Sequence, residues 1–402
     1  MKVFSCWTLA LALIFSSSLT LSNTGTGTVH AKAKAKNISL AENSVSILPK
    51  SDVVAVLDIS RLVNDLLPKA KQAWPEQMAK AEKEPNEFIS QAAKDGVDLY
   101  KVKSLTIGLK MFGDKVTGAM IVDGLTVTPE MMAKENKDSK AVEYKGKTLY
   151  IETPKPEPKV ATKTPAKRTG KSTAAAGSKS KTGAKAKPAS AKAKPQGPGG
   201  IPMGNMTDLA SNMSAGFLKG NTAFVQLDPE RMALGDEAEV KAVIDALTGS
   251  PDPTINIGSD LTAALQETKS SGLLRFAVNI PDSARQAAQS EDFLRNLAVT
   301  KMVLGTLDVT DDMSLSLDTK LRTASADDAT KLHESLAALL GLGKMMLGGN
   351  QDPMMLMLNK VLEQIRLSPQ ANDVSLALTI PRELYETFLK STPPATPTKN
   401  DK

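Results

Sequence analysis

The side chains that most often carry out catalysis or bind metals are nearly missing from this chain. It has one cysteine, Cys6, and two histidines, His30 and His333, and the first two of these lie in a predicted export signal. Cysteine–histidine catalysis and Cys/His zinc sites are therefore nearly excluded. His333 stands one position away from the apolar positions Leu332 and Leu336, which is typical of the border between the buried and the solvent-exposed side of a helix.

Two pairs of adjacent carboxylates remain as candidates for acid–base chemistry, Asp311-Asp312 and Asp327-Asp328. A glycosidase needs two carboxyl groups that face one cleft. Adjacent acids are also typical of tight turns and of the first turn of a helix. We therefore interpret these pairs as structural. A phosphate-binding loop before Lys344 is excluded, because Ala338 stands where its first glycine is required, and we expect no cofactor.

Methionine is the unusual enrichment, with 17 residues. Five of them lie in the apolar stretch from Leu336 to Leu362: Met345, Met346, Met354, Met355 and Met357. Breaks at residues 348–350 and 352–353 predict that this stretch is a helical hairpin. Clustered thioethers can fill a core, line an adaptable apolar groove or bind cuprous copper. We favour core packing, and the alternative is a hydrophobic binding surface formed by these five methionines.

The pattern of the remaining sequence predicts the scaffold around these residues. Apolar side chains occupy every second position in several segments, which is typical of strands with one buried face. These segments are Leu105 to Met111, Leu274 to Ile280, Leu315 to Leu317 and Val374 to Ile380. Helical stripes follow Asp236 and Ser325. We predict an α+β fold of repeated β-hairpin–helix units that form antiparallel sheets with helices on one face.

The N-terminus has the features of an export signal. Met1-Lys2 is followed by an apolar stretch over residues 3–21 and by the small–x–small site Val29-His30-Ala31. We predict cleavage after residue 31 and a periplasmic or extracellular protein. An uncleaved membrane anchor is the alternative, and only in that case do we expect contact with the membrane.

Shifts in composition divide the chain into segments. Residues 154–200, here called the basic segment, contain twelve Lys or Arg and one acid, Glu157. Almost no side chain there is apolar and larger than Ala, so burial cannot offset the entropy of ordering. We predict a signal peptide 1–31, a flexible basic N-terminus 32–43, an N-terminal α+β lobe 44–153, a disordered linker 154–206, a C-terminal α+β lobe 207–391 and a disordered tail 392–402. A single sheet that continues across the linker is the alternative.

Three short motifs have a recognisable pattern. Pro49 to Val54 reads Pro-x-x-Asp-x-Val and leads to Arg61-Leu62, Lys145 to Tyr150 forms a turn and a strand, and Thr222 to Leu247 joins a strand pair to a helix. In these motifs the chain resembles uncharacterised secreted bacterial proteins grouped only as domains of unknown function. The resemblance implies an exported two-part α+β protein, and it implies no activity and no site residues.

These observations leave three hypotheses about function. We favour a non-enzymatic exported envelope protein that binds a partner protein or a hydrophobic ligand. A surface protein that its basic linker tethers to a polyanion, such as an anionic cell-surface polymer, is the second. A carboxylate-based hydrolase is the third. Nucleic acid is not an expected partner, because no aromatic side chains are interleaved with the lysines for base stacking.

The export hypothesis predicts the fate of a fusion protein. Residues 1–36 fused to a reporter should deliver the reporter outside the cytoplasm, with a new N-terminus near Lys32, because the small–x–small site precedes that residue. N-terminal sequencing of the exported reporter measures the cleavage site. Full-length reporter embedded in the membrane would contradict cleavage and support the anchor.

Overall fold

A computed structural model describes residues 43–75, 78, 98–112, 115–125, 139–152, 222–249, 257–290, 295–349, 352–384 and 386. The predicted signal peptide, the linker 154–206 and the tail 392–402 lie outside these residues, as does all but residue 43 of the predicted basic N-terminus. The predictions for those segments therefore stay predictions.

The described residues form one sheet of twelve strands in which every paired neighbour is antiparallel. The strands are Val53–Asp58 (β1), Ser104–Phe112 (β2), Lys115–Asp123 (β3), Ser139–Tyr144 (β4), Lys147–Glu152 (β5), Thr222–Asp228 (β6), Arg231–Asp236 (β7), Leu274–Asn279 (β8), Met302–Val309 (β9), Leu315–Arg322 (β10), Arg366–Gln370 (β11) and Asp373–Ile380 (β12). Their order in the sheet is β11-β12-β10-β9-β8-β1-β2-β3-β7-β6-β5-β4. Together with the helices below, this confirms the α+β class.

Strand β1 joins the two halves of the sequence. It pairs with β2 on one side and with β8 on the other, so that Val54 lies opposite both Gly108 and Ala277. Strand β3 pairs with β7 in the same way, across the predicted linker. The prediction of two lobes that divide at residues 154–206 is therefore not confirmed. The strand order agrees with the alternative, a single sheet that continues across that segment.

The helices are short, with one exception. They are Ile59–Arg61 (α1), a π-helical turn Leu62–Leu66, Leu67–Ala73 (α2), Glu237–Leu247 (α3), Ser259–Gln266 (α4), Asp282–Ser290 (α5), Ala326–Leu347 (α6) and Pro353–Leu362 (α7). There are also two 3-10 turns, Leu99–Lys101 and Arg295–Leu297. Residues 43–46, 75, 78, 382–384 and 386 are helical as well. The repeat of hairpin–helix units is not confirmed by this arrangement.

Helices pack on both faces of the sheet, so the expectation of helices on one face is wrong. Val240 of α3 and Leu261 of α4 belong to a core with Val54 of β1 and Ala277 of β8. The π-helical turn contributes Leu66 to a core on the other face. Leu57 of β1 belongs to that second core and Val53 packs against it, since successive side chains of a strand point to opposite faces. The even distribution of apolar residues over both faces of β1 leaves neither face exposed to water.

The ends of β1 explain two residues of the opening motif. The carboxylate of Asp52 accepts a hydrogen bond from the backbone N–H of Met111 at 2.8 Å. The Arg61 guanidinium donates to the carbonyl of Val309 at 2.7 Å and lies 2.6 Å from the carboxylate of Asp308. Asp52 therefore holds β1 to β2, and Arg61 holds α1 to β9. Both residues have structural partners.

Strands β5 and β6 are sequential antiparallel neighbours, with Tyr150 opposite Phe224 and their rings stacked 5.4 Å apart. Residues 153–221 connect these two neighbouring strands. The basic segment lies inside this connection.

Deletion of residues 156–198 should consequently leave the sheet intact. A shorter connection loses less entropy when it closes, so we expect an unchanged stability or a gain of up to about 1 kcal/mol. Thermal unfolding followed by circular dichroism measures this. A midpoint lowered by more than about 5 °C would show that the segment makes stabilising contacts and would contradict the prediction.

Candidate apolar binding surface

Helix α6 begins with a well-formed cap. The hydroxyl of Ser325 accepts a hydrogen bond from the backbone N–H of Asp328 at 3.2 Å and donates one to its carboxylate at 2.9 Å. Thr323 donates its hydroxyl to the carbonyl of Ser325, which orients the chain before the helix. Because such caps satisfy the free N–H groups of the first turn, they fix where a helix begins.

The first half of α6 is attached to the sheet. Ala329 and Leu332 are fully buried and pack with Val374 of β12, while Leu321 and Leu336 lie at the border of this cluster. The cluster lies on the face of the sheet opposite to α3 and α4, because Leu321 and Val374 are offset by one position from residues that continue the other face. Buried side chains therefore hold three turns of α6.

The second half of α6 contacts α7. A Cβ atom at Gly343 would lie 3.0 Å from Cδ1 of Leu362, so glycine allows the two helices to approach closely. Val361 of α7 is buried. The predicted helical hairpin is thus present, with α6 ending at Leu347 and α7 beginning at Pro353.

The solvent-facing side of α6 changes character along its length. In the first turns it presents polar side chains, among them Lys331 and Glu334. From residue 337 onward it presents a set of exposed small or apolar residues, here called the apolar stripe: Ala337, Ala338, Gly341, Leu342, Met345 and Met346. Ala337, Gly341 and Met345 follow i, i+4 spacing, as do Ala338, Leu342 and Met346, so the six form two adjacent rows on the helix surface.

The apolar stripe contains the most exposed apolar side chains that the structure describes. Met345 and Met346 are each 73% exposed, and Leu342 is 48% exposed. Leu356 of α7 is 45% exposed, and outside the hairpin only Tyr100 belongs to the same class among the described residues. Single exposed apolar residues are ordinary on protein surfaces, whereas a concentration of them marks a site of interaction.

The sheet face beneath α6 continues this apolar character. Leu307 of β9 lies opposite Leu317 of β10, and Leu317 lies opposite Leu378 of β12, which places all three on one face. All three are half-buried. Phe276 covers Gly305, where a Cβ atom would lie 2.8 Å from the phenyl ring. Half-exposed apolar side chains thus extend from β8 to β12.

The opposite face of β10 and β12 is charged. Arg322 of β10 contacts both carboxylate oxygens of Glu267, at 2.7 and 3.1 Å, and the carboxylate of Asp373 at 2.9 Å. These bonds raise the pKa of Arg322 above its ordinary value and lower that of Glu267. Lys269 pairs with Asp318 nearby. The ion pairs join the end of α4 to β10 and β12, so these two strands are polar on this face and apolar on the other.

The five methionines predicted from the sequence lie in different environments. Met345 and Met346 are exposed, so core packing is the wrong interpretation for these two. Met355 and Met357 are half-buried. The side chain of Met354 lies outside the described part of the structure. Leu342 and Leu356 were not among the predicted site residues, because periodicity alone does not distinguish the exposed side of an apolar helix from its packed side.

The acidic pairs have structural partners. Asp311 lies 2.7 Å from the Lys69 ammonium group, whose hydrogen bond lowers the carboxyl pKa. Asp312 accepts hydrogen bonds from Thr310 and from the backbone of Ser314 within the β9–β10 turn, and the Thr310 hydroxyl lowers its pKa. Asp328 belongs to the α6 cap described above. Asp311, Asp312 and Asp328 therefore have structural partners, and Asp327 lies in the first turn of α6, where acidic residues are common.

The described residues lack a metal-binding cluster and a membrane-spanning helix. No group of three or more His, Cys, Asp or Glu side chains there could hold a metal ion. Within the same residues, no helix is long and apolar enough to cross a membrane. His333 is half-buried on α6.

Comparison with known proteins does not assign this chain to a family. No known protein family matches this chain, and no curated protein does. Among solved structures, the chain is similar to a protein named TP0453, in its crystal form III, with 7% sequence identity, a TM-score of 0.38, and coverage of 87% of this chain and 98% of that one. Crystal forms I and IV of TP0453 give TM-scores of 0.37 at the same identity, with 96% of each of those chains covered. Likeness at this level carries no argument about fold or function.

The exposure of the apolar stripe predicts which substitutions on α6 affect stability. Replacing Met345 and Met346 together by Gln should change the free energy of unfolding by less than about 0.5 kcal/mol, because both side chains are exposed and both residue types favour helices. The control Leu332→Ala removes a fully buried side chain and should cost about 2–5 kcal/mol. Urea unfolding of the three proteins measures both changes. A comparable loss in the double variant would show that the two methionines are packed.

Proposed function

We propose that this chain is a non-enzymatic, exported protein of the cell envelope that works by binding an apolar ligand or partner through the apolar stripe of α6. The change from polar to apolar along the exposed side of this helix is the observation that carries the proposal. A side of a surface helix that faces only water is normally polar along its whole length. The exposed side of α6 becomes apolar from residue 337 onward, beyond the turns that pack on the sheet.

The surroundings of the stripe support a binding role. Leu342, Met345 and Met346 are exposed while Leu336 and Gly343 face packed neighbours, so the helix is held in place without them. Methionine side chains adapt to ligands of different shape because they are unbranched and flexible. The stripe can therefore accept an apolar ligand without a change in the fold.

The non-enzymatic part of the proposal rests on the chemistry of the chain. Cysteine occurs once and histidine twice in the sequence, and one acid of each pair considered for hydrolysis is engaged, Asp312 in a turn and Asp328 in a cap. Export rests on the N-terminal signal residues, with Val29-His30-Ala31 as the cleavage site. A periplasmic or extracellular location follows from the same residues.

A neutral apolar dye tests the proposal. Titration of the protein with N-phenylnaphthylamine should give a saturable rise in fluorescence, because the dye enters an apolar site. Met345→Gln combined with Met346→Gln should weaken binding about tenfold, which corresponds to about 1.4 kcal/mol of lost apolar contact.

Tyr100→Gln is the matched control, because it removes an exposed apolar side chain elsewhere. This variant should bind the dye like the unchanged protein. Equal dye binding by the double methionine variant, or an equal loss in Tyr100→Gln, would contradict the proposal.

A further inference from the structure

Methionine is the sulfur-containing side chain that the described part of the chain offers to an oxidant, because those residues include no cysteine. A peroxide converts the apolar methionine thioether into a polar sulfoxide. The reaction requires that the oxidant reach the sulfur atom, so the exposure of each methionine decides how readily it reacts.

Met345 and Met346 differ in exposure from the other described methionines. Each of the two is 73% exposed. Met355 and Met357 of the same hairpin are half-buried. Four methionines elsewhere in the structure are buried, at 8% exposure or less: Met120, Met232, Met302 and Met313. The two adjacent thioethers on α6 are therefore the most accessible ones that the structure describes.

The chemistry of oxidation increases this difference. A lone pair of the thioether sulfur attacks one oxygen of hydrogen peroxide, so that an S–O bond forms and the O–O bond breaks. The sulfur loses two electrons and the peroxide gains them. The proton on the transferred oxygen passes to the departing hydroxide, which leaves as water. Because charge develops during this step, it is costly away from water, and buried thioethers react slowly.

The fold tolerates oxidation at these two positions. Ala329 and Leu332 hold the first half of α6 to the sheet, and Gly343 lies against Leu362 of α7. A sulfoxide on an exposed side chain remains hydrated and disturbs neither contact. A sulfoxide on a buried methionine would instead place a polar oxygen in the core without a hydrogen-bond partner. Oxidation of the exposed pair therefore changes the surface of the hairpin and leaves its structure in place.

We infer that Met345 and Met346 form an oxidation site at which a peroxide switches off binding by the apolar stripe. This inference rests on the proposed function and adds its regulation. Each sulfoxide oxygen accepts hydrogen bonds from water, and an apolar ligand that covers the stripe has to displace that water without replacing those bonds. Oxidation therefore weakens the binding of the ligand.

The switch is reversible. Methionine sulfoxide reductases, one class for each sulfoxide epimer, return the sulfoxide to the thioether. The two electrons come from a dithiol, which becomes a disulfide, and the oxygen leaves as water.

Peptide mass spectrometry after treatment with hydrogen peroxide tests the oxidation site without any ligand. Trypsin releases residues 345–360, which begin with both exposed methionines, and residues 302–320, which contain the buried Met302 and Met313. In the folded protein, Met345 and Met346 should be oxidised at least about tenfold faster than Met302 and Met313. Equal rates at all four positions would overturn the inference.

Titration with N-phenylnaphthylamine tests the effect on binding. Oxidation limited to Met345 and Met346 should weaken dye binding about tenfold, because two exposed apolar groups become polar. Reduction by both reductase classes with dithiothreitol should restore the affinity. Circular dichroism of the oxidised protein establishes that the fold is retained. Unchanged dye binding after complete oxidation of the pair would overturn the inference.

The variant that combines Met345→Leu with Met346→Leu is the matched control. Leucine has a similar volume and is apolar, and it has no sulfur to oxidise. The dye affinity of this variant should be the same before and after peroxide. A loss of affinity on treatment would show that other methionines cause the effect, which contradicts the inference.

The proposed function and its regulation fail in different ways. Absence of dye binding by the untreated protein would contradict the proposed function and, with it, the switch. Equal dye binding by the untreated and the oxidised protein would leave the proposed function standing and remove only the switch.

Discussion

The pairing of β1 with both β2 and β8 is the constraint on which the rest of the structure depends. Backbone hydrogen bonds on both edges of β1 connect strands that are far apart in sequence, as the register of Val53 with Leu109 and with Val278 shows. Asp52 extends this double attachment, because its N–H donates to Leu109 and its carbonyl accepts from Asn279, both at 2.7 Å. In the order of the described strands, β1 lies between β2 to β7 on one side and β8 to β12 on the other, so its pairings join these two groups.

Strands β10 and β12 have one charged and one apolar face, and each face is held differently. Arg322 and its partners Glu267 and Asp373 occupy one face, where the ion pairs need no apolar cover. On the other face, Leu317 and Leu378 are half-buried, and α6 packs against Leu321 and Val374. In β10 and β12, the charged side chains thus pair with one another and with Glu267. On the apolar face, several side chains stay half-buried.

Local features of the sequence were sufficient to predict the elements, and the arrangement of those elements was not. Alternating apolar residues located β2, β8, β10 and β12, and Ser325 with Asp328 located the start of α6, because both signals act within a few residues. The order of the strands depends on which distant edges pair, and periodicity carries no information on that. For the same reason the sequence suggested two lobes, whereas β1 joins both halves in one sheet. It also assigned the methionines to a core, since an apolar run does not show which of its sides meets a neighbour.

In α6, the side chains that hold the helix in place are different from those that it exposes to solvent. Ala329 and Leu332 hold its first half to the sheet, and the contact of Gly343 with Leu362 holds its second half to α7. Met345 and Met346 take part in neither cluster of buried side chains, so selection for folding places little demand on them. An exposed apolar side chain contributes nothing to a core and raises the risk of aggregation. The stability of the sheet does not explain two adjacent methionines at the most exposed positions of the hairpin, whereas the proposed binding of an apolar ligand or partner would explain them.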